Sequence, residues 1–323
     1  MRRAHAAAAA AFVACALQAM DVLAADPLPC KTIRIVAPNP PGGATDVLSR
    51  MIATPLQLRT GVPVIVENKG GASTNIGNEF VVRSPPDGCT MLLGNISMAL
   101  NKSLFKLSFA VEQDLRAVIQ VAAVPVVLFV HPSVPAKTMK EFIDYAKATP
   151  DKVSFSSAGN GTPTHLIVEM INAQAGTKII HVPYRGAGPA TLDVVSGQIQ
   201  SSADSLIPLV PHIRNNTVRA LGVTGRNRSS ALPDVPTFAE QGFGYADIAL
   251  WYGVMVPSKT PNEMVRRLNE EIAAILATPE VEARLAGLGS DRPSPAPEAF
   301  QALLHTETVR LGDLIRKANI TTE

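Results

Sequence analysis

Short apolar runs alternate with longer amphipathic stretches along this chain, and clusters of Gly and Pro separate them. That alternation predicts strands and helices in turn, the pattern of a parallel sheet with crossover helices. Ile33-Arg34-Ile35-Val36-Ala37 reads as a strand that breaks into a Pro/Gly turn and opens a helix over 45–58. Val47, Leu48, Met51 and Ile52 form the apolar face of that helix, and Pro55 is expected to kink or shorten it. A Val/Ile-rich strand over 62–67, a loop at 68–73 and a helix ending near Arg83 follow. Pro85-Pro86-Asp87-Gly88 then turns the chain into a strand over 90–94, which ends in the polar loop Asn95-Ile96-Ser97. These elements make a βαβαβ unit.

The stretch 121–130 is too continuously apolar for a half-exposed strand, and His131-Pro132-Ser133-Val134-Pro135 breaks it. A second α/β unit is expected beyond it, with helices over 139–147, 164–173, 190–196 and 206–214 and strands over 152–156, 178–183, 198–203 and 218–224. A Pro- and Gly-punctuated loop at 226–244 leads to a strand over 248–256 and three closing helices. The expected organisation is an insertion: residues 25–125 and 251–323 form a terminal lobe, split around a middle lobe of residues 126–250.

The N-terminus fixes an expected compartment. Met1 to His5 is basic, Ala6 to Leu17 is an Ala-rich apolar run, and Leu23-Ala24-Ala25 offers small residues for cleavage, the layout of a secretory signal peptide over 1–24. The apolar run falls short of the roughly 20 residues a membrane span needs, so the mature chain is expected in the periplasm and not in the membrane. Lys and Arg number 29 and Asp and Glu 27, and the first 24 residues hold two of the former and one of the latter. The mature chain is therefore nearly neutral, without the clustered basic excess of a nucleic-acid-binding protein. Of the 3 cysteines, Cys30 and Cys89 survive cleavage, each just ahead of an expected strand. If those strands are parallel neighbours, an oxidising compartment favours a disulfide between them, and neither cysteine has metal-ligand spacing to a His or another Cys.

Two turns are candidates for chemistry. The first is Pro38-Asn39-Pro40-Pro41-Gly42-Gly43-Ala44-Thr45-Asp46, where glycines allow close backbone approach and the unpaired N–H groups of the next helix present partial positive charge. The same composition also makes an ordinary sharp turn. The second is Ser156-Ser157-Ala158-Gly159-Asn160-Gly161-Thr162-Pro163, again a strand, a Gly loop and a helix with Pro in its first turn. Facing each other across two lobes, at the carboxyl ends of strands, the turns would bracket a cleft suited to a carboxylate or phosphate. A larger residue at Gly43 or Gly161 is expected to weaken binding there.

The first turn, together with Val66-Glu67-Asn68-Lys69-Gly70-Gly71-Ala72, Asn75-Ile76-Gly77, Pro86-Asp87-Gly88, Ser157-Ala158-Gly159-Asn160-Gly161-Thr162, His181-Val182-Pro183-Tyr184-Arg185-Gly186 and Leu232-Pro233-Asp234-Val235-Pro236-Thr237, closely resembles the Bug-type receptors. These are the extracytoplasmic solute-binding proteins of tripartite tricarboxylate transporters, and the resemblance covers essentially the whole mature chain. It implies a two-lobed, type II-like periplasmic binding fold, each lobe a mainly parallel sheet flanked by helices. It further implies a monomer that needs no cofactor, closes on a small organic acid and passes it to membrane permease subunits. The ligand carboxylate would be held by main-chain N–H groups and water between Pro40, Pro41, Gly42, Gly43, Ala44 and Thr45 on one side and Ser157, Asn160, Gly161 and Thr162 on the other. Asn95 and Ser97 would line the cleft, and Asp204 would face the far end of the ligand, where it suits an amino or hydroxyl group. Asn39 stands where the family commonly carries an aromatic residue, and Ser201-Ser202-Ala203-Asp204-Ser205 is more polar than the common pattern.

His165, one turn into the helix after the second Gly loop, is a candidate anion donor, and Tyr184 and Arg185 stand in a turn where a guanidinium could clamp a carboxylate. Trp251 and Tyr252 are expected to pack in a core. Ser157, His165 and Asp204 read superficially as nucleophile, base and orienting acid, but Ser157 lacks the G-x-S-x-G surroundings of a hydrolase elbow. A receptor that reports to a sensor protein would use the same closure as one that feeds a transporter.

Overall fold

The computed structural model describes residues 28–225, 227–290, 293–317 and 320–321. The expected signal peptide over 1–24 lies outside the described residues. Residues 31–323 form one compact unit built on two five-stranded sheets.

The first sheet begins as the apolar pattern requires. Strand β1 (Ile33–Ala37) is flanked by parallel neighbours β2 (Val64–Asn68) and β3 (Thr90–Asn95). Helices α1 (Ala44–Thr60) and α2 (Asn75–Val82) make the crossovers. Arg34 stands opposite Thr90, and Cys30 and Cys89 are both disulfide-bonded, as expected of parallel neighbours in an oxidising compartment. Helix α1 continues through Pro55 to Thr60 and stops at Gly61, whose left-handed φ of 68° suits a helix C-cap. Pro55 therefore does not shorten it. A further helix, α3 (Ser97–Leu104), starts inside the segment expected to be a polar loop, and a single turn, α4 (Val111–Asp114), leads into β4 (Leu115–Val124).

The apolar run over 121–130 is two strands in different sheets. Strand β4 ends at Val124, Pro125 interrupts it, and β5 (Val126–Val130) belongs to the second sheet. Pro lacks the N–H that would continue a ladder, so it marks where the chain leaves one sheet for the other. The second sheet is completed by β6 (Ser154–Ser157), β7 (Ile180–Pro183), β8 (Ser201–Ser205) and β9 (Arg219–Val223). Its helices are α5 (Met139–Ala148), α6 (Pro163–Ala175), α7 (Ala187–Val195) and α8 (Leu206–Arg214). After a 3₁₀ turn at Gly244–Ala246 the chain returns to the first sheet as β10 (Leu250–Pro257) and closes with α9 (Asn262–Leu276), α10 (Pro279–Gly287) and α11 (Pro297–Lys317).

The strand orders are β2-β1-β3-β10-β4 and β7-β6-β8-β5-β9. In each sheet one strand runs against the rest, β10 in the first and β5 in the second, and each is antiparallel to both neighbours. These two are the strands that arrive from the other sheet. The fold is thus the two-lobed α/β architecture with mainly parallel strand directions that the resemblance implied.

Burial explains the polar strand β8. All five of its residues are buried, and two serines bond to the neighbouring strand's backbone: Ser201 Oγ donates to Ser154 O at 2.8 Å and Ser202 Oγ to Ser156 O at 2.7 Å. Paired hydroxyls carry little desolvation penalty, so the strand tolerates its polar composition. Beneath it Val127, Phe129, Val194, Leu206 and Leu209 form an apolar cluster. In the first sheet Trp251 packs edge-on against Phe300, ring centroids 5.4 Å apart, which places it in the core as expected.

The crossing at Pro125 is pinned by one residue. Thr224 donates its N–H to Val126 O at 2.8 Å and accepts the Val126 N–H on Oγ1 at 2.8 Å, in a wholly buried setting. Replacing Thr224 by the isosteric Val strands a buried donor, and the expected loss is about 1–3 kcal/mol of unfolding free energy, read from urea denaturation.

Candidate functional site

The carboxyl ends of β1, β3, β6 and β8 and the start of β10 meet around an inner cavity of about 70 Å³. Its walls are Asn39, Pro40, Gly43, Ala44 and Thr45 from the β1–α1 turn, with Asn95, Ile96 and Ser97 after β3. Ala158, Thr162, Pro163 and Thr164 from the β6–α6 turn, Ala187 and Gly188 at the start of α7, and Asp204, Leu250 and Tyr252 complete them. A wider outer chamber of about 730 Å³ shares Asn39, Pro40, Ala158 and Thr162 with it and takes in Pro41, Asn160, Tyr184 and Arg185.

No Lys, Arg or His lines the inner cavity among the described residues; its positive potential comes from backbone. Helices α1, α6 and α7 all begin at its wall, and none has a side-chain cap on its N-terminus. The first-turn N–H groups of a helix have no partner within it, and the aligned peptide dipoles place partial positive charge at that end. Helix α3 begins there too, but Asn95 Oδ1 accepts the Ser97 N–H at 3.0 Å and so caps it. Three uncapped helix starts on one cavity are an arrangement that could receive an anion without a formal cation.

The β1–α1 turn is held rigidly. Asp46 reaches back to accept the Gly42 N–H at 3.0 Å, and its other oxygen accepts Arg50 Nε at 3.0 Å. Asn39 Oδ1 accepts from Thr45 Oγ1 at 3.1 Å and from Asn95 Nδ2 at 3.2 Å, while its main-chain carbonyl accepts Asn68 Nδ2 at 3.0 Å. Asn39, at the position noted as departing from an aromatic pattern, thus lines the cavity with both its acceptors engaged.

Of the residues named from sequence, Pro40, Gly43, Ala44, Thr45, Asn95, Ser97, Thr162 and Asp204 line the inner cavity. Pro41, Asn160 and Tyr184 line only the outer chamber, and Gly42 lies behind the turn with its N–H on Asp46. Tyr184 is committed elsewhere: its hydroxyl donates to Asp193, which pushes its pKa up to about 12. Ser157, Gly161 and His165 line neither chamber. Ser157 is buried beneath the loop with Oγ 2.6 Å from His181 Nε2, and the Gly161 N–H is taken by His165 Nδ1 at 3.2 Å. The His165 ring stacks on His181 with centroids 4.2 Å apart, and burial lowers its pKa, so it is not the anion donor expected.

The nucleophile, base and acid of the hydrolase reading are likewise dispersed. Ser157 pairs with His181, His165 with Gly161, and Asp204 with the Ser205 N–H at 2.7 Å. His165, Glu169 and His181 place donor atoms within 4.8 Å of one another. Because His165 Nδ1 accepts an N–H, its Nε2 carries the proton, the reverse of a metal-binding imidazole, which donates its second nitrogen outward. Sequence reasoning missed Ala187, Gly188 and Leu250 and assigned Tyr252 to a core; Tyr252 is buried, but on the cavity wall. Gly188 alone carried a signal, a second glycine beside a strand-to-helix turn.

A family model described as "Tripartite tricarboxylate transporter family receptor" (TctC) matches residues 48–320. The chain belongs to this family. Among its relatives, BugT of Bordetella pertussis is 33% identical over 309 residues, covering 95% of this chain and 94% of BugT. Two solved receptors of Rhodopseudomonas palustris superimpose closely. Rpa4515 with adipate has a TM-score of 0.87 at 29% identity, covering 91% of this chain and 99% of its own. MatC with bound malate has a TM-score of 0.84 at 29% identity, covering 89% and 99%. Among the described residues of this family member, no helix is long and apolar enough to cross a membrane.

Gly161 stands at a contact between the lobes. A Cβ there would stand 2.8 Å from Phe105 Cε2, and one at Gly186 would stand 2.9 Å from Pro40 Cγ; both are contacts between the lobes. Gly161→Ala is expected to lower the unfolding midpoint, and by less when Phe105 is already Ala, a coupling that a double-mutant cycle measures.

Asp204 supplies a second expectation. Its carboxyl is wholly buried, and desolvation pushes its pKa from 3.8 up to about 7 despite the Ser205 hydrogen bond. The folded protein therefore holds a proton that the unfolded chain releases, so stability falls as pH rises from about 4 to 7 and stays low above. Asp204→Asn, which keeps an acceptor for Ser205, is expected to stabilise the protein at pH 8 by an amount on the order of a few kcal/mol and to change little at pH 4, as followed by thermal unfolding.

Proposed function

We propose that the protein is a periplasmic receptor that captures a small carboxylate between its lobes and delivers it to the membrane subunits of a tripartite transporter. The observation that carries this reading is the convergence of three uncapped helix starts on a buried cavity that no cationic side chain lines. A carboxylate accepts several main-chain N–H bonds at once, and such charge-assisted bonds are the stronger kind. Membership of the receptor family supports the transport role, and the adipate and malate held by two structural neighbours support the ligand class.

Ligand entry and exit require the lobes to part. The crossings at Pro125 and ahead of β10 are the proposed hinges, and the contacts of Gly161 with Phe105 and of Gly186 with Pro40 are the proposed closure points. Ser157 Oγ does contact His181 Nε2, but neither residue lines the inner cavity or the outer chamber, which supports binding without turnover.

The test is a thermal-shift screen of the mature protein against mono-, di- and tricarboxylates, amino acids and the matching uncharged amides. A bound acid at 100 times its Kd is expected to add about 2.7 kcal/mol of stability, with the amide counterparts giving none. Shifts from the amides alone, or none from any acid, would overturn the carboxylate assignment.

A further inference from the structure

The second Gly loop rests on two histidine rings that stand outside the ligand cavity. His165 of α6 and His181 of β7 are stacked with centroids 4.2 Å apart, and neither lines the inner cavity or the outer chamber. His165 Nδ1 accepts the Gly161 N–H at 3.2 Å. His181 Nε2 lies 2.6 Å from Ser157 Oγ, which in turn accepts the Gly159 N–H at 3.1 Å. The two rings thus hold the loop at Gly161 and, through Ser157, at Gly159. That loop carries Ala158 and Thr162 on the cavity wall and Gly161 against Phe105 of the other lobe.

The rings tolerate a proton unequally. A protonated His181 keeps Ser157 Oγ as its partner, because a hydroxyl both donates and accepts. A protonated His165 carries N–H on both ring nitrogens, so Nδ1 turns a donor on the Gly161 N–H and that bond is lost. Burial lowers the pKa of both rings, and the neighbouring charge of His165 adds to it for His181, which falls to about 4, so His165 takes the first proton. Repulsion at stacking distance then opposes a second. Glu169 of α6 places Oε1 3.8 Å from His165 Nε2, where it favours the imidazolium. Of the elements packed against α6, β6 carries no titratable side chain, β7 brings His181, β8 brings Asp204 and the 3₁₀ turn brings Tyr245. Beyond β7 stand Tyr184, bonded to Asp193, and the exposed Arg185.

We propose that the His165–His181 pair is a proton-operated latch under the second wall of the cavity: neutral, it holds the loop in its binding shape, and protonation of His165 frees Gly161 and weakens ligand capture. The inference rests on the carboxylate reading above and adds regulation of that site. The latched form binds fewer protons than the released one, so affinity falls as pH drops below about 6.5, the ordinary histidine pKa.

The experiment sets the wild type beside His165→Asn, whose side-chain oxygen replaces Nδ1 as acceptor and does not titrate. Nitrogen-15 spectra of the ligand-free wild type between about pH 5 and 8 follow the His165 ring and the exchange protection of the Gly161 amide. Calorimetry measures malate and adipate, the acids held by two structural neighbours, at pH 7.5 and pH 5.5. Gly161 is expected to lose protection as His165 gains its proton. Over the same interval the wild type is expected to lose about 10-fold more affinity than the Asn variant, any loss common to both belonging to the acid's own protonation. A purely structural His165 would give the two proteins parallel pH profiles, which overturns the latch and leaves the carboxylate reading intact. Protonation of His165 with Gly161 still protected overturns it as well. Absence of binding by either acid at both pH values counts against the carboxylate reading, and the latch is then decided by Gly161 protection, a pH-independent value overturning it.

Discussion

Main-chain N–H groups at the starts of α1, α6 and α7 have no acceptor within their own helices and no side-chain cap, and all three starts lie on one buried cavity. Donors at helix starts without an intrahelical partner favour an acceptor from outside the helix, and here three such starts face one cavity. Asp46 and Asn39 hold the first of these starts rigid, and the hydroxyls of β8 satisfy the backbone beneath the second lobe's wall. Preorganised amides recognise an anion with little further loss of chain entropy.

Asp204 shows the same cavity from its opposite electrostatic side. A buried carboxyl with one unpaired oxygen lowers stability at neutral pH, and nothing in the packing of β8 requires it. Groups that cost stability and face a cavity are candidates for function, because a residue serving the fold alone would be paired or apolar.

Two glycines stand at contacts between the lobes. Gly161 and Gly186 hold left-handed backbone conformations, φ of 76° and 119°, while Phe105 and Pro40 of the other lobe sit where a Cβ would be. Close approach of the lobes therefore depends on the missing side chains. The start of β10, with Leu250 and Tyr252, lies against loops from both sheets.

Much of this was legible along the chain. The strand-turn-helix at 33–46, the alternation of apolar runs and the two Gly loops are local features, set by propensity and by what Gly and Pro permit over a few residues, and the first of these turns lines the inner cavity. The family motifs are local as well. The lobe boundary was expected between residues 125 and 126, but that the run over 121–130 is two strands in different sheets was not legible, because a run of buried β residues reads the same whether one sheet or two cover it. Likewise Ser157 and His165 sit in the right loop but turn inward to His181 and Gly161, and α7 brings Ala187 and Gly188 to the cavity from far along the chain. Sequence by itself determined which segments could present backbone donors, since that depends on neighbours in the chain. Only the tertiary structure decided which donors share a cavity and which side chains face it, since side-chain direction is set by the packing of elements distant in sequence.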